Sequence, residues 1–209
     1  MFKYFLCACW LLASNFPAVA AEPSVEEPNH AIHQELRGLI NGIEQAINSE
    51  KYADLKQYFH KDLRVTTINQ NVIVTPTGID TYFKDWFGPG GYLRKMKIKL
   101  SPDALTELHG EGIPSWGTVI GSGNEIYELT DGRHLDMKTR WTATVAKDAD
   151  GKWRILTLHI GTNFYDNPIV AAIQNSVKFY ALGGFVIGLL AFGLTSLIWL
   201  RRKNRKVIA

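Results

Sequence analysis

The stretch DGKWRILTLHIG, Asp150–Gly161, opens on a turn and runs on as a strand with a histidine near its end. Asp150-Gly151 supplies the turn residues, and Trp153 to Ile160 is rich in large apolar side chains over a strand's length. Leu135 to Ala146 is a second such run and Thr118 to Leu129 a third, with Asp131-Gly132 between them reading as a tight hairpin turn. Earlier still, Met96, Ile98 and Leu100 alternate with Lys95, Lys97 and Lys99, the period of a strand with one wet face. Such a lysine row keeps an edge from pairing with other chains. Docking on anionic lipid is its second reading.

Upstream of the GPGG loop at Gly88–Gly91 the period becomes helical. From Ala31 to Asn48, Ile32, Leu36, Leu39, Ile40, Ile43 and Ile47 recur at helical spacing. Gly38 and Gly42 interrupt that helix at about 1 kcal/mol each against alanine, which calls for close packing on a neighbour. A short helix carries Leu55, Tyr58 and Phe59, a hairpin spans Arg64–Ile68 and Val72–Thr75, and Gly78 to Phe87 is a third helix. Helices followed by a long antiparallel meander make an α+β domain.

The chain's ends define its surroundings. Residues 1–20 have Lys3, an apolar run from Tyr4 to Ala13, and Ala18-Val19-Ala20, the pattern of a cleaved signal peptide. Residues 21–30 form a Pro- and Glu-rich flexible leader, and 31–166 the domain. Residues 167–178 read as a juxtamembrane helix, started by Asn167 as cap and Pro168. Phe179 to Leu200 has no charge and would be roughly 33 Å long as a helix, enough to cross a bilayer. The basic tail, 201–209, places that end in the cytoplasm and the domain on the periplasmic or extracellular side, a single-pass type I arrangement.

Both cysteines, Cys7 and Cys9, lie in the leader, so the mature chain has neither disulfide nor thiolate nucleophile. Setting aside Lys3, Lys178 and the five tail cations leaves 16 Lys and Arg against 20 Asp and Glu. That mildly acidic domain has no nucleic-acid footprint.

Three stretches, YADLKQYFHKDLRVTTI (52–68), TGIDTYFKDWF (77–87) and DGKWRILTLHIG (150–161), resemble the nuclear transport factor 2-like (SnoaL-like) superfamily over about Ala31–Phe164. The resemblance implies a cone: a curved antiparallel sheet, cystatin-like, wrapped on the N-terminal helices, here with one transmembrane helix added. It also implies a role for the histidine. In the kinase association domains of that superfamily, a histidine six residues after the final-strand tryptophan lines the cone, and His159 stands in that relation to Trp153.

A two-residue turn at Asp131-Gly132 pairs Tyr127 with Asp136 and Glu125 with Lys138, and the last hairpin pairs Arg140 with His159 and Thr142 with Thr157. One face then gathers Glu125, Tyr127, Asp136, Lys138, Arg140, Thr157 and His159. On the resemblance this polar face lines the pocket, with Tyr127, Asp136, Arg140, Thr157 and His159 as candidate ligand-binding residues. The apolar face, with Trp141, Leu156, Leu158 and Ile160, would then point outward and serve a homodimer, since large bare apolar patches are rare on monomers. The alternative is the reverse, apolar side chains inward and polar ones in water.

No residue is assigned a catalytic role. Ketosteroid isomerase-like chemistry needs a carboxylate in the first hairpin, where this chain has Val65-Thr66-Thr67. Gly121-Ser122-Gly123 lies in a strand and is no nucleophile elbow. His30 and His33 lack a third metal ligand and read as solvent-facing; neither cofactor nor metal is expected. The reading is a membrane-anchored, exported module for small-ligand binding or assembly, its partners a small amphiphilic ligand or a membrane protein. A cyclase, isomerase or dehydratase acting on a small apolar molecule is the alternative.

Overall fold

A computed structural model describes residues 27–207, with side chains to residue 201. The signal-peptide reading lies outside the described residues. The elements run α1 (His30–Asn48), a 3-10 turn (Tyr52–Tyr58), β1 (Phe59–Thr66), β2 (Val72–Ile73), α2 (Pro76–Phe87), β3 (Leu93–Pro102), β4 (Glu107–His109), β5 (Trp116–Leu129), β6 (His134–Lys147), β7 (Trp153–Thr162) and α3 (Pro168–Val207). One sheet has the order β2-β1-β7-β6-β5-β3, with β4 paired to β5. It is mixed, because β1 runs parallel to β7 while the remaining pairs are antiparallel. The α+β class stands.

α1 lays Leu36, Leu39, Ile43 and Ile47 on the concave side of the sheet against Leu55, Leu63 and Ile155. His33 shares that face and is buried, not solvent-facing, because it lies three residues before Leu36 and ten before Ile43. The two helical glycines differ. A Cβ on Gly42 would lie 2.5 Å from the Tyr58 hydroxyl, the close packing expected of it, whereas one on Gly38 would meet nothing within 4 Å.

β3 is an edge strand, and α1 covers its edge with side chains. The Asn48 amide donates to Ile98 O and accepts from Ile98 N, both at 2.8 Å, as a neighbouring strand would. Glu44 accepts from Leu100 N at 3.0 Å and from Lys99 Nζ at 3.1 Å, and Lys97 Nζ donates to the Asn48 carbonyl. The lysine row is thereby tied to α1, and the edge is protected by being used.

The turn between β5 and β6 corrects the predicted register. Leu129 N donates to Arg133 O, and Gly132 sits at φ +87°, so Thr130-Asp131-Gly132 is a three-residue loop with glycine in the left-handed position. Tyr127 therefore faces Leu135 and Glu125 faces Met137. One extra loop residue moves β5 to the opposite face relative to β6. In the last hairpin Thr142, not Arg140, faces His159, a two-residue shift that leaves the faces unchanged, with a bulge beyond Thr144.

α3 follows Asn167, whose side-chain oxygen accepts from Ile169 N and Val170 N at 3.1 Å, with Pro168 in the first turn. It runs as one helix from Pro168 to Val207, through the predicted juxtamembrane and span segments and into the basic tail. Its Pro168–Arg201 portion is long and apolar enough to cross a membrane, with none of its most apolar window buried.

Candidate functional site

The concave face of the sheet, α1 and α2 line a cavity of about 130 Å³. Its wall is almost entirely hydrocarbon: Ile43 and Ile47 from α1, Phe83 and Trp86 from α2, and Trp141 and Leu158 from the sheet stand for the rest. Glu125 and Tyr127 break that wall from β5, and Thr67 and Tyr82 from the other side.

Glu125 is 3% exposed. Its Oε1 accepts from the Thr139 hydroxyl at 2.9 Å, and its Oε2 accepts from the Tyr127 hydroxyl. Thr139 also reaches the Gly123 carbonyl at 3.4 Å. Burial pushes the Glu125 carboxyl above the usual carboxylate range, against the opposing pull of the two hydrogen bonds. Burial, reinforced by the neighbouring carboxylate, likewise raises the Tyr127 phenol, and burial brings Tyr82 up to about 12. Among the lining residues there is no lysine, arginine or histidine to balance a charge on Glu125.

β5 makes room for this cluster by omitting side chains. A Cβ on Gly121 would lie 2.2 Å from the Trp141 ring, and one on Gly123 would lie 2.5 Å from the Thr139 hydroxyl. The two glycines let the indole lie flat on the strand, where its Nε1 donates to Ser122 O at 2.9 Å, and let Thr139 reach Glu125.

Of the five predicted ligand-binding residues, the structure brings only Tyr127 to the cavity. Asp136, Arg140 and His159 are exposed on the convex face, and Thr157 is half-buried there. Arg140 forks onto Asp103, with Nη1 at 2.9 Å from Oδ1, and holds that carboxyl below its ordinary range through the hydrogen bond. Trp141, Leu158 and Ile160, expected on an outer dimer face, line the cavity instead, and Leu156 lies half-buried at the β7 bulge. Those four residues therefore do not form an outer apolar face; the apolar side chains exposed on the outer side of β5 include Ile120 and Ile126. On β6 and β7 the apolar side chains turn inward and the polar ones outward, the alternative arrangement. The three-residue loop sets Glu125 and Tyr127 of β5 on the inner face, apart from Asp136, Arg140 and His159.

The missed residue is Glu125. The carboxylate expected at the site was Asp136, which is exposed, and in the first hairpin Val65 and Thr67 do line the cavity and carry no acid. The available signal was Gly121-x-Gly123-x-Glu125-x-Tyr127, alternate positions of one strand in which two absent side chains precede two polar ones.

No protein-family model and no curated protein matches the sequence. Solved structures do match it, and they establish a fold of the nuclear transport factor 2-like, cystatin-like type. A nuclear transport factor 2-like superfamily protein from Salmonella enterica aligns with a TM-score of 0.50 at 17% identity, covering 64% of this chain and 92% of its own. A hexachlorocyclohexane dehydrochlorinase from Novosphingobium barchaimii aligns with a TM-score of 0.54 at 13% identity, covering 66% and 90%. A cystatin-like domain of unknown function from Nostoc punctiforme aligns with a TM-score of 0.51 at 12% identity, covering 77% and 95%. At these identities the likeness is one of fold.

Proposed function

We propose that this chain is a membrane-anchored, exported domain whose cone binds a small, largely apolar molecule. The observation that carries the reading is a hydrocarbon-lined cavity with a single acidic pole at Glu125 and Tyr127. A cavity of about 130 Å³ is close to the ~150 Å³ apolar cavity that holds benzene, so the occupant is of monocyclic size. The uncharged stretch of α3 and the basic residues after it support anchoring with the domain outside.

Filling the cavity tests this. Ala143 lines it and is buried, and Ala143→Leu removes the space without adding polarity. The full-length chain is expected to bind a monocyclic hydrocarbon such as toluene, read as quenching of tryptophan fluorescence from Trp86 and Trp141. Ala143→Leu should lose that response while keeping its circular dichroism. An equal response in both chains would place toluene elsewhere and sink the reading.

A second reading, catalysis on the bound molecule as a cyclase, isomerase or dehydratase, is favoured by Glu125 itself. A carboxyl displaced upward by burial in an apolar cavity is a candidate for proton transfer. The dehydrochlorinase on the same fold lends general support only. Turnover abolished by Glu125→Gln, with toluene binding retained, would separate catalysis from binding.

A further inference from the structure

The acidic pole also restricts what the cone can hold. We infer that the cone selects a neutral molecule carrying one hydrogen-bond acceptor, held by a hydrogen from the Glu125–Tyr127–Thr139 cluster, and releases it when Glu125 ionises. This rests on the small-molecule reading of the cavity and goes beyond it in naming the ligand's chemistry and its control.

Counting hydrogens carries the argument. When Glu125 is ionised, the Tyr127 and Thr139 hydroxyl hydrogens both point at its two oxygens, and no donor of the cluster faces the cavity. An acceptor in the ligand would then meet only lone pairs at this pole, and the Thr67 and Tyr82 hydroxyls of the same cavity already donate to Asn69 Oδ1. When Glu125 is protonated, the cluster has a third hydrogen. Thr139 still donates to Oε1, the carboxyl donates to the Tyr127 oxygen, and the phenol hydrogen is free to turn toward the cavity, which Tyr127 lines. A ketone or ether oxygen takes that hydrogen. A carboxylate ligand would bring a second charge into a cavity without a cation.

The surroundings favour the protonated form. Tyr127 from β5 and Tyr82 from α2 are the titratable side chains that share the cavity with Glu125, and both phenols are raised away from ionisation. From α1, β1, β3, β6 and β7 the side chains turned to the cavity are apolar, and the loop after β1 adds the Thr67 hydroxyl. An anionic Glu125 is thus an unpaired buried charge, held by two neutral hydrogen bonds alone.

The test uses the full-length chain in lipid nanodiscs, with the 13C-methyl NMR signal of Ala143 as a reporter inside the cavity. Three probes share one ring: cyclohexanone, neutral with an acceptor; methylenecyclohexane, neutral without one; and cyclohexanecarboxylate, an anion. Cyclohexanone is expected to shift Ala143 at pH 5, with affinity falling about tenfold per pH unit once Glu125 has ionised. Methylenecyclohexane should bind independently of pH, and the carboxylate should not bind. Glu125→Gln, whose amide donates at every pH, should bind cyclohexanone equally at pH 5 and pH 9. The 13Cδ shift of Glu125 in the unmodified chain reports its ionisation even where the variant fails to fold, and it should titrate over the range in which cyclohexanone is lost. If cyclohexanone and methylenecyclohexane bind with the same pH-independent affinity, the inference is wrong while the small-molecule reading stands. If no probe shifts Ala143 at any pH, both fall.

Discussion

Thr139 on β6 donates a 2.9 Å hydrogen bond to Glu125 on β5, deep in the concave face of the sheet. The bond exists because Gly123, the residue paired with Thr139, has no side chain to block it. A buried carboxyl held in this way makes stability depend on pH in a defined direction.

Burial raises the folded carboxyl of Glu125 above its unfolded value of ~4.3, so the folded chain keeps a proton that the unfolded chain has released. The stability contributed by the neutral group is full below the unfolded value and is lost as pH rises through the folded one. Glu125→Gln does not titrate. It should gain on the unmodified chain over that window, by up to about 1.4 kcal/mol per pH unit. Asp103, Asp131, Asp148 and Asp150, held low by their arginine or backbone partners, act oppositely at acid pH but are common to both chains. Thermal unfolding followed by circular dichroism measures the difference. Parallel curves from pH 4 to pH 9 would mean that Glu125 is ionised throughout.

The glycines should separate sharply. Gly121→Ala drives a Cβ into the Trp141 ring and the Ser101 carbonyl, and overpacking of this kind costs about 1–3 kcal/mol. Gly38→Ala adds a methyl to open space in a helix and should stabilise the chain by about 0.5–1 kcal/mol. Unfolding midpoints moving in opposite directions would confirm that β5 is shaped for its neighbours and that Gly38 is not.

The fold was readable from periodicity. The apolar positions of α1, the alternation in β3 and the turns flanking β6 each have a local cause, and the elements form where those signals lie. The site was not readable from the same signals, because facing depends on parity. Asp131-Gly132 reads equally as a two-residue turn or as the end of a three-residue loop begun by Thr130, and no local residue distinguishes them. Glu125 and Tyr127 share one parity, so the loop turns both inward together and parts them from Asp136 and Arg140. What does break the ambiguity is composition. With Glu125 and Tyr127 turned inward, Met137, Trp141, Ala143 and Val145 are buried beside them, and the charged residues of β6 are all wet.

Substitutions on the convex face should therefore be quiet. Arg140→Ala removes an exposed ion pair with Asp103, and such pairs contribute little. His159→Ala removes an exposed ring opposite Thr142. Both variants should keep the melting temperature and the probe binding of the unmodified chain. A loss of binding in either would show that the convex face takes part in recognition.

Asn48→Ala should expose the sheet's edge. The amide supplies two bonds to Ile98, so its removal leaves a strand N–H and C=O unpaired at a part-buried position, at a cost of about 1–3 kcal/mol. Concentration-dependent aggregation on mild heating, stronger than that of Gly38→Ala, is the expected signature of a freed edge. Light scattering during a thermal ramp decides it.

Topology can be tested because both cysteines of the chain, Cys7 and Cys9, precede the proposed cleavage site after Ala20. A processed chain is cysteine-free, so introduced thiols report without background. α3 is 40 residues long, about 60 Å at 1.5 Å per residue, which is twice the hydrocarbon thickness of ~30 Å. A bilayer crossed by α3 would take only part of it: Lys178 and Arg201 bracket the uncharged part, which would leave Pro168–Val177 in water between domain and lipid. With the five tail cations on the cytoplasmic side, Asn124→Cys on the convex face should react with a membrane-impermeant maleimide in intact cells. Ala209→Cys should react only after lysis. The unmodified chain should not react in either case, and its intact mass should begin at Ala21. Labelling of the unmodified chain would show that the leader is retained, and the reverse pattern for the two introduced thiols would place the domain inside the cell.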